Sequence, residues 1–574
     1  MTASYLRVAL VLPPVQSFNM PYSAPAALAS LLQERFGAQT LVVDAGVEWL
    51  ASALRDADPA IAADLGRLRD PSAYRDAFAL REAHAHAEAA LQALTARWAP
   101  ETVQLSGEYV PPDRFENWDE VRRSLERPTE RMFDGYVRRE LIPKLRSFHP
   151  QIVGLSVPFD WMLWPTLRLL RFLRRSCPDV VTIVGGPAIQ RLWNEGQAEF
   201  FDILDADWAA IGDGERALID LVGWVCRGEE PQDPALVRLP PEAAPKPRPQ
   251  PAGFYDRGVV PDYSDLDLAA YLRPEPILPI PASEGCYYGR CRFCSRQRRD
   301  QAVTFVETPG RQVAEAMRRL QRQLGVTQFV LTGDILTRRF LLGVANDLSM
   351  DNAPLNWFCE ASFKASMAGR LTEADCERLY AGGCRLILNG LESGSARIRE
   401  LMDCQVNEAM FRRTLRRLSD AGVVPYVTIV FGYPGETAED LMATAEFIRT
   451  HQETCVFATS RFEIVPGTPL ADQLQQDPRV RCTPRSVLEG GWDHDAEDTL
   501  GDAAARAILE RDLGGMFGRF PQFYRQIPVL MQLLSKTWPR PVPRRPANRR
   551  ERVRALAQSP SGAGDRLGGG EQWT

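Results

Sequence analysis

The chain has 574 residues, room for three or four domains of ordinary size. Its 68 Lys and Arg against 74 Asp and Glu leave a formal charge of −6, which speaks against a basic nucleic-acid scaffold. A hydrophobic share of 45% with 25% charged residues suits a globular chain with large cores, and no apolar run approaches the ~18 residues of a membrane span. Eleven cysteines over this length make no disulfide scaffold, so the expected setting is a reducing cytoplasm with no membrane or nucleic-acid partner.

In chain order, the opening MTASYLRVALVLPPVQ is too short for a signal segment and predicts a first buried strand at 7–12, ended by Pro13 and Pro14. A helix is expected over 23–36, then strands at 40–46, 151–159, 180–188 and 207–215, with helical stretches between such as 163–176. That alternation predicts βα units on a parallel sheet. Gly185, Gly186, Gly212 and Gly214 fall at strand ends, where open α/β sheets bind ligands. Residues 47–148 are charged and Ala-rich and read as a helical insertion within this first domain, 1–226.

Residues 227–275 form a Pro-rich linker containing PPEAAPKPRPQPAGF. A second βα series follows, with strands at 276–283, 328–333, 355–362, 385–393, 425–435 and 460–467 and helices such as 312–324 and 373–381. Six strands alternating with helices predict a partial (β/α)6 barrel over 276–483, with its site at the carboxyl ends of the strands. Beyond it, 484–540 reads as helical and 541–574 as a disordered tail. The seven arginines from Arg540 to Arg554 make a solvated arm.

The chemistry concentrates in Cys286-Tyr-Tyr-Gly-Arg-Cys291-Arg-Phe-Cys294, directly after the first barrel strand. Three thiolates on one loop suit a soft metal centre. A structural zinc site closes with four ligands, yet the next cysteine is Cys359 and the chain has only five histidines. Three ligands instead leave one corner of a [4Fe–4S] cluster open to a substrate or cofactor. Zinc completed by a distant cysteine is the alternative. Cys177, Cys226, Cys376, Cys384, Cys404, Cys455 and Cys482 are scattered and read as small buried apolar residues.

At this loop the sequence resembles the radical S-adenosylmethionine (SAM) superfamily, whose usual spacing is Cys-x3-Cys-x2-Cys with an aromatic before the last cysteine. Here one extra residue separates Cys286 from Cys291, and GCYYGRCRFC is similar to a variant among B12-binding members. The resemblance implies that Cys286, Cys291 and Cys294 hold the cluster and that Phe293 packs near the SAM adenine. It places Gly333 and Asp334, after the second strand, opposite the methionine amino group. Glu360 and Ser362 match positions that touch ribose or the methionine moiety, and a carboxylate in the apolar strand NWFCEASF needs a polar cavity or partner. Gly390 and Glu392 match the segment that approaches adenine, where a glycine permits close backbone approach. IVFGYPGET (429–437) and EIVPGTP (463–469) look like the sixth-strand and closing segments, so the likeness spans about 276–470.

A parallel α/β domain ahead of such a barrel resembles the cobalamin-binding arrangement. The turns carrying Gly185, Gly186 and Gly212 are similar to loops lining the corrinoid nucleotide tail. The Asp-x-His-x-x-Gly motif is missing, and none of His84, His86, His149, His451 and His494 lies in that context. The resemblance therefore implies a cobalt without a histidine from this protein. The implied activity is reductive cleavage of SAM to a 5′-deoxyadenosyl radical, with cobalamin-dependent methyl transfer to, or rearrangement of, a small metabolite or peptide. An external electron donor such as flavodoxin or ferredoxin is the implied partner. The rivals are a corrinoid-free radical SAM enzyme and a zinc-stabilised binding protein.

Overall fold

The computed structural model describes residues 6–75, 77–212, 214–241, 260–295, 305–350, 355–361, 371–404, 406–452, 454–496 and 499–513. The first sheet runs β1 (Arg7–Leu12), β2 (Gln39–Asp44), β3 (Ile152–Ser156), β4 (Val181–Gly185), β5 (Trp208–Ala210) and β6 (Leu236–Arg238), in the spatial order β2-β1-β3-β4-β5-β6. The first five strands are parallel and β6 closes the edge antiparallel to β5. Successive residues in a strand point to opposite faces, so Val8 and Leu10 pack toward the helices Ser23–Phe36 and Gly214–Arg227, while Ala9 and Val11 join the core on the other side. The sheet is thus doubly wound, with its switch point between β1 and β3.

The expected insertion is present. Helices Ala45–Arg55, Pro59–Gly66, Ala77–Thr95, Trp118–Glu126 and Ile142–Phe148 pack with a short hairpin, Thr102–Val103 against Tyr109–Val110. Asp44 opens this segment as an N-cap, accepting from the Gly46 and Val47 amides and from the Tyr271 hydroxyl. Strand β6 was not expected: it lies in the stretch read as linker, of which 242–259 is outside the described residues, as is the tail from 514.

The second sheet holds β7 (Ile277–Pro281), β8 (Gln328–Thr332), β9 (Asn356–Glu360), β10 (Cys384–Glu392), β11 (Val424–Phe431) and β12 (Val456–Arg461), all parallel and in sequential order. This is the expected partial (β/α)6 barrel. The last strand lies at 456–461 rather than 460–467, because Ile464 makes only an isolated bridge to Trp492. Phe329, Trp357, Ile387 and Val427 face the outer helices. Val330, Phe358, Leu388 and Tyr426 face inward and share a core with the first domain's insertion. Capping boxes at Thr372/Asp375 and Thr437/Asp440 start two of the outer helices, Glu373–Ala381 and Ala438–His451.

The region after the barrel also departs from expectation. Before its helix Asp502–Leu513 it forms a hairpin, Val480–Pro484 with Trp492–Ala496. Among the described residues no helix is long and apolar enough to cross a membrane.

Candidate active site

The carboxyl ends of both sheets open onto one cavity of about 810 Å³. The first sheet contributes Gly185, Gly186 and Gly212, all three anticipated from sequence, together with Phe159 and Trp161. The barrel contributes Glu284, Gly333 and Asp334, and Ser295 lines the cavity directly after Cys294. Phe159 and Trp161 are stacked at 4.4 Å and 5°, and Trp161 is fixed by its indole N–H donating to the Val15 carbonyl at 3.0 Å. None of the five histidines lines the cavity.

Gly186 is demanded by the backbone before any ligand is considered. Its φ is +111°, and a Cβ would sit 2.7 Å from the Val157 carbonyl oxygen. A side chain there would therefore push apart the ends of β3 and β4 as well as block the cavity.

The three-cysteine loop leaves the end of β7 and is pinned from two sides. On the barrel side, Asp334 accepts the Gly285 amide at 2.7 Å, just ahead of Cys286, and the Ser283 hydroxyl donates to the Ile335 carbonyl at 2.8 Å. The Gly333 backbone lies so close to Ser283 that a Cβ would meet Ser283 Oγ at 2.2 Å. Sequence reasoning expected Asp334 to face a methionine amino group. Here one of its oxygens holds the loop backbone.

On the outer side, the Arg292 amide donates to the Met402 carbonyl at 3.0 Å and the Tyr288 hydroxyl to the Asp403 carbonyl at 2.7 Å. Arg290 pairs with Asp403 at 3.4 Å. Cys291 is buried, whereas Cys286 and Cys294 are half-buried. Cys404 Sγ lies 3.3 Å from Cys291 Sγ. Sequence reasoning grouped Cys404 with the scattered thiols, and nothing in its local sequence distinguishes it from them.

The remaining expected residues divide. Phe293 packs edge-on against Phe462 at 5.9 Å, at the barrel's closing end. Glu360 ends β9, half-buried and two residues beyond the inward-facing Phe358. Glu392 has φ +71°, and its carboxylate folds back over Gly390, with Oε1 2.1 Å from the point a Gly390 Cβ would occupy. Ser362 lies outside the described residues.

Sequence reasoning missed a clamp on the loop after β11. The Gly432 amide donates to the Glu436 carboxylate at 2.5 Å, and the Gly432 carbonyl lies 2.9 Å from His494 Nε2. Burial pushes the Glu436 carboxyl up to about 7, against the opposing pull of the Gly432 amide. His494 is held below the usual imidazole range, chiefly by burial.

The donor set fits an iron–sulfur cluster. Three thiols lie within nine residues on one loop, whose flanking residues Glu284 and Ser295 line the cavity, and the loop is held by backbone and carboxylate contacts that need no metal to form.

Residues 280–448 match the family model of the Radical SAM superfamily. The chain is 21% identical over 318 residues to an uncharacterized methyltransferase of Pyrococcus horikoshii, covering 53% of this chain and 65% of that protein. It is 24% identical over 324 residues to the anaerobic magnesium-protoporphyrin IX monomethyl ester cyclase of Rubrivivax gelatinosus, covering 53% and 55%. The match thus spans less than two thirds of each curated relative. Among solved structures, the cobalamin-dependent SAM radical enzyme OxsB, with aqua-cobalamin and SAM bound, superposes at TM-score 0.61 with 13% identity, covering 92% of this chain and 72% of that one. The radical SAM methyltransferase TsrM from Kitasatospora setae, with tryptophan and a SAM analogue bound, superposes at 0.54 with 16% identity, covering 83% and 78%. These likenesses establish the fold.

Proposed function

We propose that the chain, whose residues 280–448 match the Radical SAM model and whose fold is that of the cobalamin-dependent structures, is a cobalamin-dependent radical SAM enzyme that methylates or rearranges a small molecule or peptide. One observation carries the reading: Glu284 and Ser295, the residues flanking the cysteine loop, and the glycine-lined edge of the first sheet border the same cavity. When bound there, a cluster with SAM supplies reductive formation of a 5′-deoxyadenosyl radical, and a corrinoid supplies a transferable methyl group.

The residues divide the work. Cys286, Cys291 and Cys294 would hold three irons and leave the fourth open. Asp334 positions the loop through Gly285, and Glu360 and Glu392 supply carboxylates at the ends of β9 and β10 for SAM. Phe293, held against Phe462, would pack near the adenine. Gly185, Gly186 and Gly212 leave the first sheet's edge open, where a corrinoid tail would lie, and the helices beginning at Pro187 and Gly214 would offer free N-terminal amides to a phosphate bound there. Phe159 and Trp161 form an apolar wall that excludes water. No histidine is among the lining residues, so a cobalt held there would take no imidazole from them. The tryptophan seen in TsrM favours a small-molecule substrate.

Anaerobic reconstitution tests this. Wild-type protein should bind iron and sulfide, retain hydroxocobalamin through gel filtration and release 5′-deoxyadenosine from SAM under reduction. Cys286→Ala, Cys291→Ala and Cys294→Ala should each lose most of the iron. Full iron in the triple variant would sink the assignment. The external electron donor is read the same way, as a low-potential carrier such as flavodoxin or ferredoxin.

A further inference from the structure

We infer that Cys404 donates an S–H···S hydrogen bond to the cluster-ligating sulfur of Cys291 and so sets the reduction potential of the centre. The inference rests on the reading of Cys291 as a cluster ligand.

Two sulfurs 113 positions apart in sequence lie 3.3 Å from each other, a hydrogen-bonding separation for thiols and closer than two ligands on different irons of one cubane could approach. In a cubane the terminal sulfurs diverge from separate corners, so a thiol this near to Cys291 is a partner of the ligand and not a further ligand. The contact is built, not incidental. The Arg292 amide binds the Met402 carbonyl and the Tyr288 hydroxyl binds the Asp403 carbonyl, so segment 402–404 is tied to the loop on either side of Cys291. Asp403 takes a left-handed backbone, φ +50°, to turn Cys404 inward.

The surroundings exclude water. Cys404 is 1% exposed and Cys291 8%, packed with Ile398, Met402, Tyr433 and Phe462. In such low-dielectric surroundings a hydrogen bond to a thiolate acts more strongly than it would in water. One-electron reduction adds negative charge to the cluster and its thiolates. A donor on Cys291 therefore stabilises the reduced form more than the oxidised form and raises the potential. That makes the centre easier for an external carrier to reduce. Cys404 is thus a positioning residue, acting through Cys291.

The test is a potentiometric titration followed by EPR on anaerobically reconstituted protein, comparing wild type, Cys404→Ala and Cys404→Ser at matched iron content. Expected are full iron in all three, a more negative midpoint potential for Cys404→Ala, and a smaller negative shift for Cys404→Ser, whose hydroxyl can still donate. An unchanged potential in the alanine variant would overturn the inference. So would loss of iron from both variants, which would make Cys404 a ligand. Cys291→Ala is the control for the underlying reading: if it retains full iron, that reading fails first, and the hydrogen bond loses its acceptor role with it.

Discussion

Glu436 is fully buried, and desolvation outweighs the Gly432 amide that its carboxylate accepts, holding its pKa at about 7. The sign of its effect on stability follows from linkage. A carboxyl whose folded value is raised from an unfolded ~4.3 binds more protons folded than unfolded between those two limits, so folding stability falls as pH rises through that window and levels off above it. The full span is on the order of 3 kcal/mol. Urea midpoints should therefore drop between about pH 4.3 and 7, and Glu436→Gln should flatten the drop; an unaltered slope in the variant would show that other groups set it. Asp334 makes a second residue-scale case. Asp334→Ala removes a charged acceptor from the Gly285 amide, worth about 1.5–3 kcal/mol, and should lower iron uptake, whereas Asp334→Asn keeps an acceptor and should recover much of it. Equal iron in wild type and the alanine variant would detach Asp334 from the loop. The three loop cysteines could be found in sequence because all lie within nine residues. Cys404, and the pairing of Glu436 and His494 around Gly432, could not: their partners are brought by the turns of the barrel, and neither the spacing nor the composition of their segments marks them.

Among elements, the segment following the barrel ties the two sheets together. The Val487 amide donates to the Phe115 carbonyl of the insertion at 2.9 Å, and the Gly490 amide donates to Asp160 Oδ2 at 2.8 Å, at the end of β3. Farther on, Leu500 N–H reaches the Glu436 carbonyl at 2.8 Å, and Thr499 Oγ1 accepts from the Gly435 amide at 2.7 Å. Asp160 also pairs with Arg191 at 2.9 Å, and a Cβ on Gly490 would lie 2.5 Å from Asp160 Oδ2. Asp160→Ala strips both ties and leaves the largely buried Arg191 guanidinium with Glu195, so it should cost about 2 kcal/mol, read as a lower urea midpoint with unchanged iron. No loss would mean the segment docks by packing alone. Most strands were legible because apolar β-branched runs such as RVALVL and QFVLT end in Pro or Gly. The strands that were missed or misplaced lack that signature. Leu236–Arg238 is three residues in a Pro-rich stretch, Val480–Pro484 is mostly exposed and polar, and VFATSR alternates small and polar residues so that the stronger apolar run EIV drew the boundary too late.

At the scale of the molecule, the proposed function needs two sheets presenting their carboxyl edges to one cavity, an arrangement that no single segment encodes. Each sheet was predictable from its own βα alternation. Their mutual facing was not, because it rests on contacts between segments far apart in sequence: the inward barrel residues Phe358, Leu388 and Tyr426 share a core with the insertion, and the helix Ser23–Phe36 packs on β7. The cavity supplies a cleaner probe of cofactor binding than the turn at Gly186, whose replacement would strike Val157. Gly214 also lines the cavity, at the start of its helix, but a Cβ there meets nothing within 4 Å and its φ is not in the left-handed range. Gly214→Phe should therefore fold with an unchanged circular dichroism spectrum and a near-native urea midpoint, since a cavity-facing side chain breaks no packing. Its ring would occupy the space between the sheet edges, so hydroxocobalamin retained by wild type through gel filtration should be lost from the variant, with cluster iron unaffected because the cysteine loop hangs from the other sheet. Full corrinoid retention by a folded Gly214→Phe would move the corrinoid away from the first sheet's edge, while loss of iron along with it would mean that the two sites cannot be perturbed separately.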